Sequence, residues 1–261
     1  KRLSEAGKQT DKKVICFLEN VLFTTLTNVN FDAKVHVELL KESQKIKEVL
    51  RDASESAERQ PLCAVYDLPE TKIEMLQDTP MAGIMYDKKL DPDIRSLRQT
   101  ILYGLKGISA YGHQARELGY YSEQVDRFYL QALAALTDDS LTVEELIRLT
   151  MRTGENACEV MKVLDEANTS VYGNPVPHKV NVHRRKGPFI IVSGHDLKDL
   201  EMLLEQTKGT GVNVYTHGEM LPCHGYQGLK KYTHLVGNFG GAWQDQQKQF
   251  DNLPGCILMT T

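Results

Sequence analysis

Hydrophobic residues recur at helical spacing through most of the first 166 residues of the chain. Apolar side chains fall three or four positions apart, with lysine and glutamate between them. The segments with this pattern are 31–50, 94–108, 122–136 and 142–165. The second follows Asp91-Pro92-Asp93, which is typical of a helix start, and the fourth opens with a capping box formed by Thr142 and Glu145. This part of the chain is therefore predicted to be helical.

The predicted helices fall into two groups joined by a proline-containing connection at 54–70. A short motif occurs in both groups, because Leu26-Thr27 precedes a predicted helix as Leu136-Thr137 does. Duplicated bundles of helices would explain the repeat, and chance similarity between amphipathic helices is the alternative. The predicted helical bundle domain spans residues 1–178.

The pattern changes after a linker at 168–187 that is rich in proline, glycine and basic residues. Short apolar runs typical of buried parallel strands then alternate with helical segments. Strands are predicted at 189–192, 212–215, 235–238 and 256–259, and helices at 196–206 and 242–250. The second domain, 186–261, is thus predicted to be a Rossmann-like parallel α/β sheet. It stops directly after a strand, so we expect its C-terminal end to be incomplete.

Composition and charge narrow the class of protein. Hydrophobic residues make up 41% of the chain and charged residues 25%, a balance typical of globular proteins, and the net charge of -4 gives no reason to expect nucleic acid as a partner. No apolar run approaches the roughly 20 residues that cross a bilayer, and residues 1–13 lack the apolar segment of a signal peptide. Five widely spaced cysteines without a CxxC pair argue against a disulfide scaffold and indicate a reducing, cytoplasmic setting.

Residue types that bind ligands follow each predicted strand. In open parallel sheets, ligands bind beyond the carboxyl ends of the strands. The candidates at this edge are Ser193, Gly194 and His195, then Thr216, His217, Gly218 and Glu219, then Asn238, Phe239, Gly240 and Gly241, and last Thr260 and Thr261. His195 and Glu219 follow consecutive strands, so their side chains could meet at one ion. Imidazole plus carboxylate suits iron or zinc.

Other interpretations of these residues stay open. Two donors make an incomplete site, because a metal needs three or more protein groups. His195 can simply start a helix with Asp196 as N-cap, and Glu219 can be a loop carboxylate. With His217 or His224 as a further donor, the pair could instead form a mononuclear metal hydrolase. The glycine-rich stretches 208–211 and 237–241 match no nucleotide-binding motif and are predicted as tight turns.

Several of these segments resemble the hybrid cluster proteins, which are also called the prismane or hydroxylamine reductase family. The matching segments are 26–31, 103–108, 167–169, 193–200, 214–222 and 237–244. Together they extend over nearly the whole chain, and the segments of the predicted sheet are the most specific.

The resemblance implies a helical domain of two three-helix bundles followed by two Rossmann-like domains. It also implies a four-iron hybrid cluster bridged by oxygen and sulfur, and a second iron–sulfur cluster held by an N-terminal cysteine motif. The activity implied is reduction of hydroxylamine to ammonia, with nitric oxide as another assigned substrate and an electron donor protein as partner. Residue by residue, His195 matches the histidine ligand of the hybrid cluster, and Glu219 matches its first glutamate ligand.

The chain also departs from the family pattern. The cysteine motif for the second cluster is absent, the sequence ends before the next expected cysteine ligand, and Cys223 and Cys256 are not at ligand positions. We therefore expect helical bundles plus one Rossmann-like domain, truncated at both ends and carrying only part of the hybrid-cluster site. A non-catalytic relative that serves as a folding or interaction module without clusters is the alternative.

Overall fold

The computed structural model describes residues 12–26, 32–52, 61–69, 84 and 88–260. Six α-helices come first in the described chain: α1 Lys12–Phe23, α2 Ala33–Asp52, α3 Leu62–Val65, α4 Pro92–Glu117, α5 Glu123–Ala135 and α6 Val143–Tyr172. Four strands and two further α-helices follow: β1 Phe189–Ser193, α7 Leu197–Thr207, β2 Asn213–His217, β3 Leu235–Asn238, α8 Gln246–Gln249 and β4 Cys256–Met259. The predicted α + α/β fold, a helical bundle region followed by a Rossmann-like sheet, is confirmed.

Several predicted segments need correction. The linker predicted from residue 168 begins only after Tyr172, because α6 continues to that residue. The helix predicted at 242–250 is a 3-10 turn, Trp243–Asp245, followed by the four-residue α8. The predicted connection 54–70 contains the short helix α3, and its other described residues form no regular element. Most of the motif 26–31 and residue 261 lie outside the described residues.

The described chain forms two compact units. The described residues of the first lie within Lys1–Leu26, Asn30–Ala110 and Ser122–Val160, and those of the second within Tyr111–Tyr121 and Met161–Thr261. Helices α4 and α6 each contribute residues to both units. Among the described residues, none of the helices combines the length and apolar character needed to cross a bilayer.

The core of the helical unit is built from the inner faces of α4, α5 and α6. Ile101, Leu105 and Ile108 lie at helical spacing on α4 and are fully buried. Phe128 and Tyr129 of α5 pack in the same cluster. The Tyr129 hydroxyl lies 2.7 Å from Ser109 Oγ, which supplies the hydrogen bond that a buried polar group needs.

Two helix starts in this unit have side-chain caps, of which the first was predicted. The capping box at the start of α6 is confirmed, because the Thr142 N–H donates to Glu145 Oε2 at 2.8 Å and the Glu145 N–H donates to Thr142 Oγ1 at 3.3 Å. Ser122 caps α5 by accepting from the Val125 N–H at 3.4 Å.

The sheet is fully parallel, with the strand order β3-β2-β1-β4. Alternate residues face opposite sides, so Val192 and Val214 pack with Leu200 and Leu204 of α7 on one face. The other face buries a smaller cluster around Ile191, Tyr215 and Val236, with Phe189, Phe239, Phe250 and Leu253 packed against it. Both faces are covered, as expected for a parallel sheet. Because all four strands run in one direction, their carboxyl ends meet at one edge.

Candidate functional site

The turn after β1 is held in place by two close contacts with the end of β4. Gly194 has φ +127°, and a Cβ built on it would lie 1.7 Å from the Thr260 carbonyl oxygen. The Thr260 N–H donates to the Ser193 carbonyl at 2.7 Å, and the Asp196 N–H donates to Thr260 Oγ1 at 3.1 Å. A side chain at residue 194 would therefore break this contact, so glycine is required there.

Asp196 starts α7 as predicted. Its Oδ1 accepts from the Lys198 N–H at 2.7 Å and from the Asp199 N–H at 3.1 Å. Burial raises the pKa of the Asp196 carboxyl above its ordinary value, although the Asp199 and Lys198 N–H groups lower it. Between the packed glycine and the buried cap, the His195 side chain is the exposed one.

The segment after β2 exposes Glu219 in a similar way. Gly218 has φ +58° and begins a 3-10 helix, Gly218–Gly225. Met220 and Cys223 of this helix are each 1% exposed and anchor it in the core beneath the sheet. The Glu219 side chain, one residue before Met220, is exposed.

The structure brings the two predicted ligand residues together. His195 Nε2 lies 2.8 Å from Glu219 Oε2, and the two side chains are 48% and 54% exposed. Ser193 of β1 is paired in register with His217 of β2, so His195 and Glu219 occupy equivalent positions beyond the two strands. An exposed carboxylate and an imidazole nitrogen at this distance form a charge-assisted hydrogen bond.

This pair fits two positions of an iron site but not a whole site. A histidine nitrogen and a carboxylate oxygen are common iron ligands, and both atoms are accessible at the sheet edge. Within the described part of the chain, no three histidine, cysteine, aspartate or glutamate side chains are grouped closely enough to hold a metal. The donor set therefore supports a contribution to a larger site, and the mononuclear hydrolase interpretation lacks its third ligand among these residues.

His217 and His224 both point away from this pair. His217 is fully buried, with Nδ1 3.0 Å from Ser193 Oγ and Nε2 2.9 Å from Gln249 Oε1. His224 Nε2 lies 2.9 Å from Thr216 Oγ1, which is also 3.0 Å from Asn238 Oδ1. Burial, together with the nearby His178, lowers the pKa of His224 to about 4. These histidines are structural in the described chain.

The other predicted candidates have structural contacts. Phe239 packs against the smaller cluster of the sheet, around Ile191, Tyr215 and Val236. Gly240 has φ +73° in the turn after β3. Thr260 supports the Gly194 turn, whereas Thr261 lies outside the described residues. Cys223 is buried, which raises the pKa of its thiol to about 12, and Cys256 is exposed on β4. Sequence reasoning missed Gln249, which no motif marks.

Comparison with known proteins places this arrangement in a family. Residues 1–261 match the Prismane/CO dehydrogenase family. A hydroxylamine reductase of Caldanaerobacter subterraneus is 48% identical over 250 residues, which cover 94% of this chain and 45% of that protein. Hydroxylamine reductases of Thermoanaerobacter pseudethanolicus and Zymomonas mobilis are 46% and 43% identical, covering 94% and 100% of this chain and 45% and 48% of those proteins. The chain thus spans about half the length of these curated relatives, and it belongs to the Prismane/CO dehydrogenase family.

Proposed function

We propose that this chain supplies His195 and Glu219 as two iron ligands of the hybrid iron–sulfur–oxygen cluster of a hydroxylamine reductase. The observation that supports this most strongly is the 2.8 Å contact between His195 Nε2 and Glu219 Oε2 beyond adjacent strands. The relatives named hydroxylamine reductase agree with it. The remaining ligands would come from groups other than the described residues.

The hydrogen bond between the pair dictates how iron would enter. Ionised carboxylates only accept hydrogen bonds, so the proton of this contact belongs to His195 Nε2. Iron coordinates an unprotonated imidazole nitrogen, so this proton must leave when the ion binds. The ring hydrogen then moves to Nδ1 or to solvent, and iron uptake at this pair should break the direct hydrogen bond between His195 and Glu219.

The same two residues are placed to act on a substrate. The bound cluster would supply electrons and an open iron position, where hydroxylamine is reduced to ammonia and water. The Glu219 side chain is 54% exposed, so its carboxylate can take up a proton from solvent and pass it to a substrate nitrogen bound beside it. We propose nitric oxide as a second substrate and a redox protein as electron donor.

Two further parts of the proposal concern organisation and setting. We propose that the chain divides into a helical bundle domain, 1–178, and a Rossmann-like domain, 186–261. We also propose a reducing, cytoplasmic setting, which is supported by the five cysteines, all of them free thiols.

Iron analysis of anaerobically reconstituted protein tests the ligand assignment. We expect His195→Ala and Glu219→Gln to lower both the iron bound per chain and the visible absorption. His183→Ala is the matched control, because His183 is an exposed histidine in the linker before β1. If Glu219→Gln leaves iron content, cluster spectrum and hydroxylamine turnover unchanged, the assignment of Glu219 is wrong.

A further inference from the structure

We propose that His217 is a positioning residue that links the ends of β1 and β2 and so holds His195 next to Glu219. The inference rests on the proposed function, because it explains how the two proposed ligands are kept together. It concerns the chain of contacts Ser193–His217–Gln249, in which Ser193 and His217 lie two residues before His195 and Glu219.

The His217 ring contacts side chains of β1 and of the segment around α8. It is fully buried, and its two nitrogens contact Ser193 Oγ of β1 at 3.0 Å and Gln249 Oε1 of α8 at 2.9 Å. The Phe250 ring centroid lies 4.6 Å from that of His217. One side chain therefore ties together three segments at the carboxyl edge of the sheet.

The hydrogen bonds assign a tautomer to this ring. The Gly241 N–H donates to Gln249 Oε1 at 3.1 Å, and a backbone N–H can only donate, so the amide oxygen of Gln249 faces this point. His217 Nε2 must then donate to the same oxygen. The other ring nitrogen, Nδ1, lies 3.0 Å from the Ser193 hydroxyl, which can rotate to donate to it. Nδ1 consequently accepts the Ser193 hydroxyl proton.

The position of this link along the two strands gives it its effect. Ser193 and His217 are partners in the strand register. Each is followed by a glycine with positive φ, and then by one of the proposed ligands. The hydrogen bond from the Ser193 hydroxyl to His217 thus fixes the distance between the strands just before the chain turns towards His195 and Glu219.

The turn after β3 closes over the same ring. A Cβ built on Gly240 would lie 2.9 Å from His217 Cδ2 and 2.5 Å from Gln249 Oε1. Residue 240 must therefore be glycine for the Gln249 oxygen to reach both His217 and Gly241. The hydrogen bond between His217 and Gln249 thus connects the strand ends to α8.

Nuclear magnetic resonance of the metal-free chain tests the inference without using iron or turnover. Histidine ring correlations should show His217 protonated at Nε2, and a cross-peak should connect the His195 ring with the Glu219 side chain. We expect Ser193→Ala and Gln249→Met to remove this cross-peak while the amide spectrum stays that of a folded protein. Thr207→Val is the matched control, because it removes a hydroxyl–imidazole contact of 3.1 Å, to His234, and should leave the cross-peak in place.

Each result decides for or against the inference. A ring protonated at Nδ1, a missing cross-peak in the parent chain, or a cross-peak that survives in both folded variants would overturn it. The result is separable from the proposed function, because a chain that binds no iron can still lose the contact in Ser193→Ala. Conversely, the cross-peak could survive in Ser193→Ala and Gln249→Met while iron binding still depends on His195. That result would retain the proposed function and reject the positioning role of His217.

Discussion

Replacement of Gly194 by alanine tests the packing that presents His195 to the sheet edge. The added Cβ would lie 1.7 Å from the Thr260 carbonyl oxygen and 2.8 Å from Thr260 Oγ1, far inside van der Waals contact. The atoms that it would meet belong to the backbone and to a short buried side chain, which have little freedom to move. Either β4 or the turn after β1 must therefore shift.

The size of the effect follows from three contributions. An alanine held at φ +127° costs about 1–3 kcal/mol in backbone strain. Overpacking against Thr260 adds about 1–3 kcal/mol. Loss of the hydrogen bonds from Thr260 N–H to Ser193 and from Asp196 N–H to Thr260 would add about 1 kcal/mol each. We expect a total of about 4–8 kcal/mol, a large part of the stability of an ordinary domain.

Urea unfolding measures this cost, and Gly209→Ala separates strain from packing. Trp243, the chain's one tryptophan, lies in the same unit as Gly194 and reports its unfolding by fluorescence. Gly209 has φ +75°, but a Cβ there would meet nothing within 4 Å, so its replacement should cost only about 1–2 kcal/mol. If Gly194→Ala destabilises the unit no more than Gly209→Ala does, the packing against Thr260 does not hold the turn.

Three further predictions concern single side chains. Tyr129→Phe should destabilise the helical unit by about 1 kcal/mol in urea unfolding, because it removes the 2.7 Å hydrogen bond to Ser109, whose hydroxyl keeps its bond to the Leu105 carbonyl, and the cost should not add to that of Ser109→Ala in the double mutant. Asp196→Ala should cost about 1 kcal/mol while Asp196→Asn costs little, since asparagine caps helices as well as aspartate does, and equal losses would contradict the capping role. His224 has its pKa lowered from 6.5 to about 4 by burial, so folding favours the neutral ring. The folded state has its full stability above pH 6.5, where His224 is neutral in both the folded and the unfolded chain. As the pH falls from 6.5 towards 4, the unfolded chain binds a proton that the folded chain does not, so the free energy of unfolding should decline. This decline should be less steep in His224→Gln than in the parent.

Most of the fold of the second unit could be predicted from local sequence. All four strands were placed within two residues of their observed ends, because short apolar runs between glycine and polar turns are a strong signal for a parallel sheet. The Asp196 cap was also predicted, since capping depends on a few adjacent residues. The segment 242–250 was predicted as one helix, but only a 3-10 turn and four helical residues form. There, the Gln249 side chain bonds to His217. The local sequence pattern does not contain this tertiary contact.

The extent of the long helices was harder to predict. Helix α6 runs seven residues past the predicted end at 165, through Asn168 and Thr169, which read as linker residues. Thr169 satisfies its hydroxyl within the helix by donating to the Asp165 carbonyl at 2.7 Å, and Tyr172 at the helix end is buried in the sheet core. Burial of one distant aromatic ring thus overrides local propensity. The boundary between domains at 178–186 and the duplication of the bundle stay predictions.

The candidate site could also be predicted only in part from the sequence. The meeting of His195 and Glu219 could be anticipated because the carboxyl ends of adjacent parallel strands share an edge. The separate roles of His217 and His224 could not, because their partners Ser193, Gln249 and Thr216 are set by strand register and by the turn after β3. In the sequence, His217 and His224 are further donors near the pair, and nothing there identifies the groups that they contact.

Diffraction at the iron absorption edge tests the central claim most directly. Crystals grown anaerobically with ferrous iron should show an anomalous peak bonded to both His195 Nε2 and Glu219, with the direct hydrogen bond between them replaced. An iron peak elsewhere, with the 2.8 Å contact between His195 and Glu219 intact, would contradict the assignment of this pair as iron ligands.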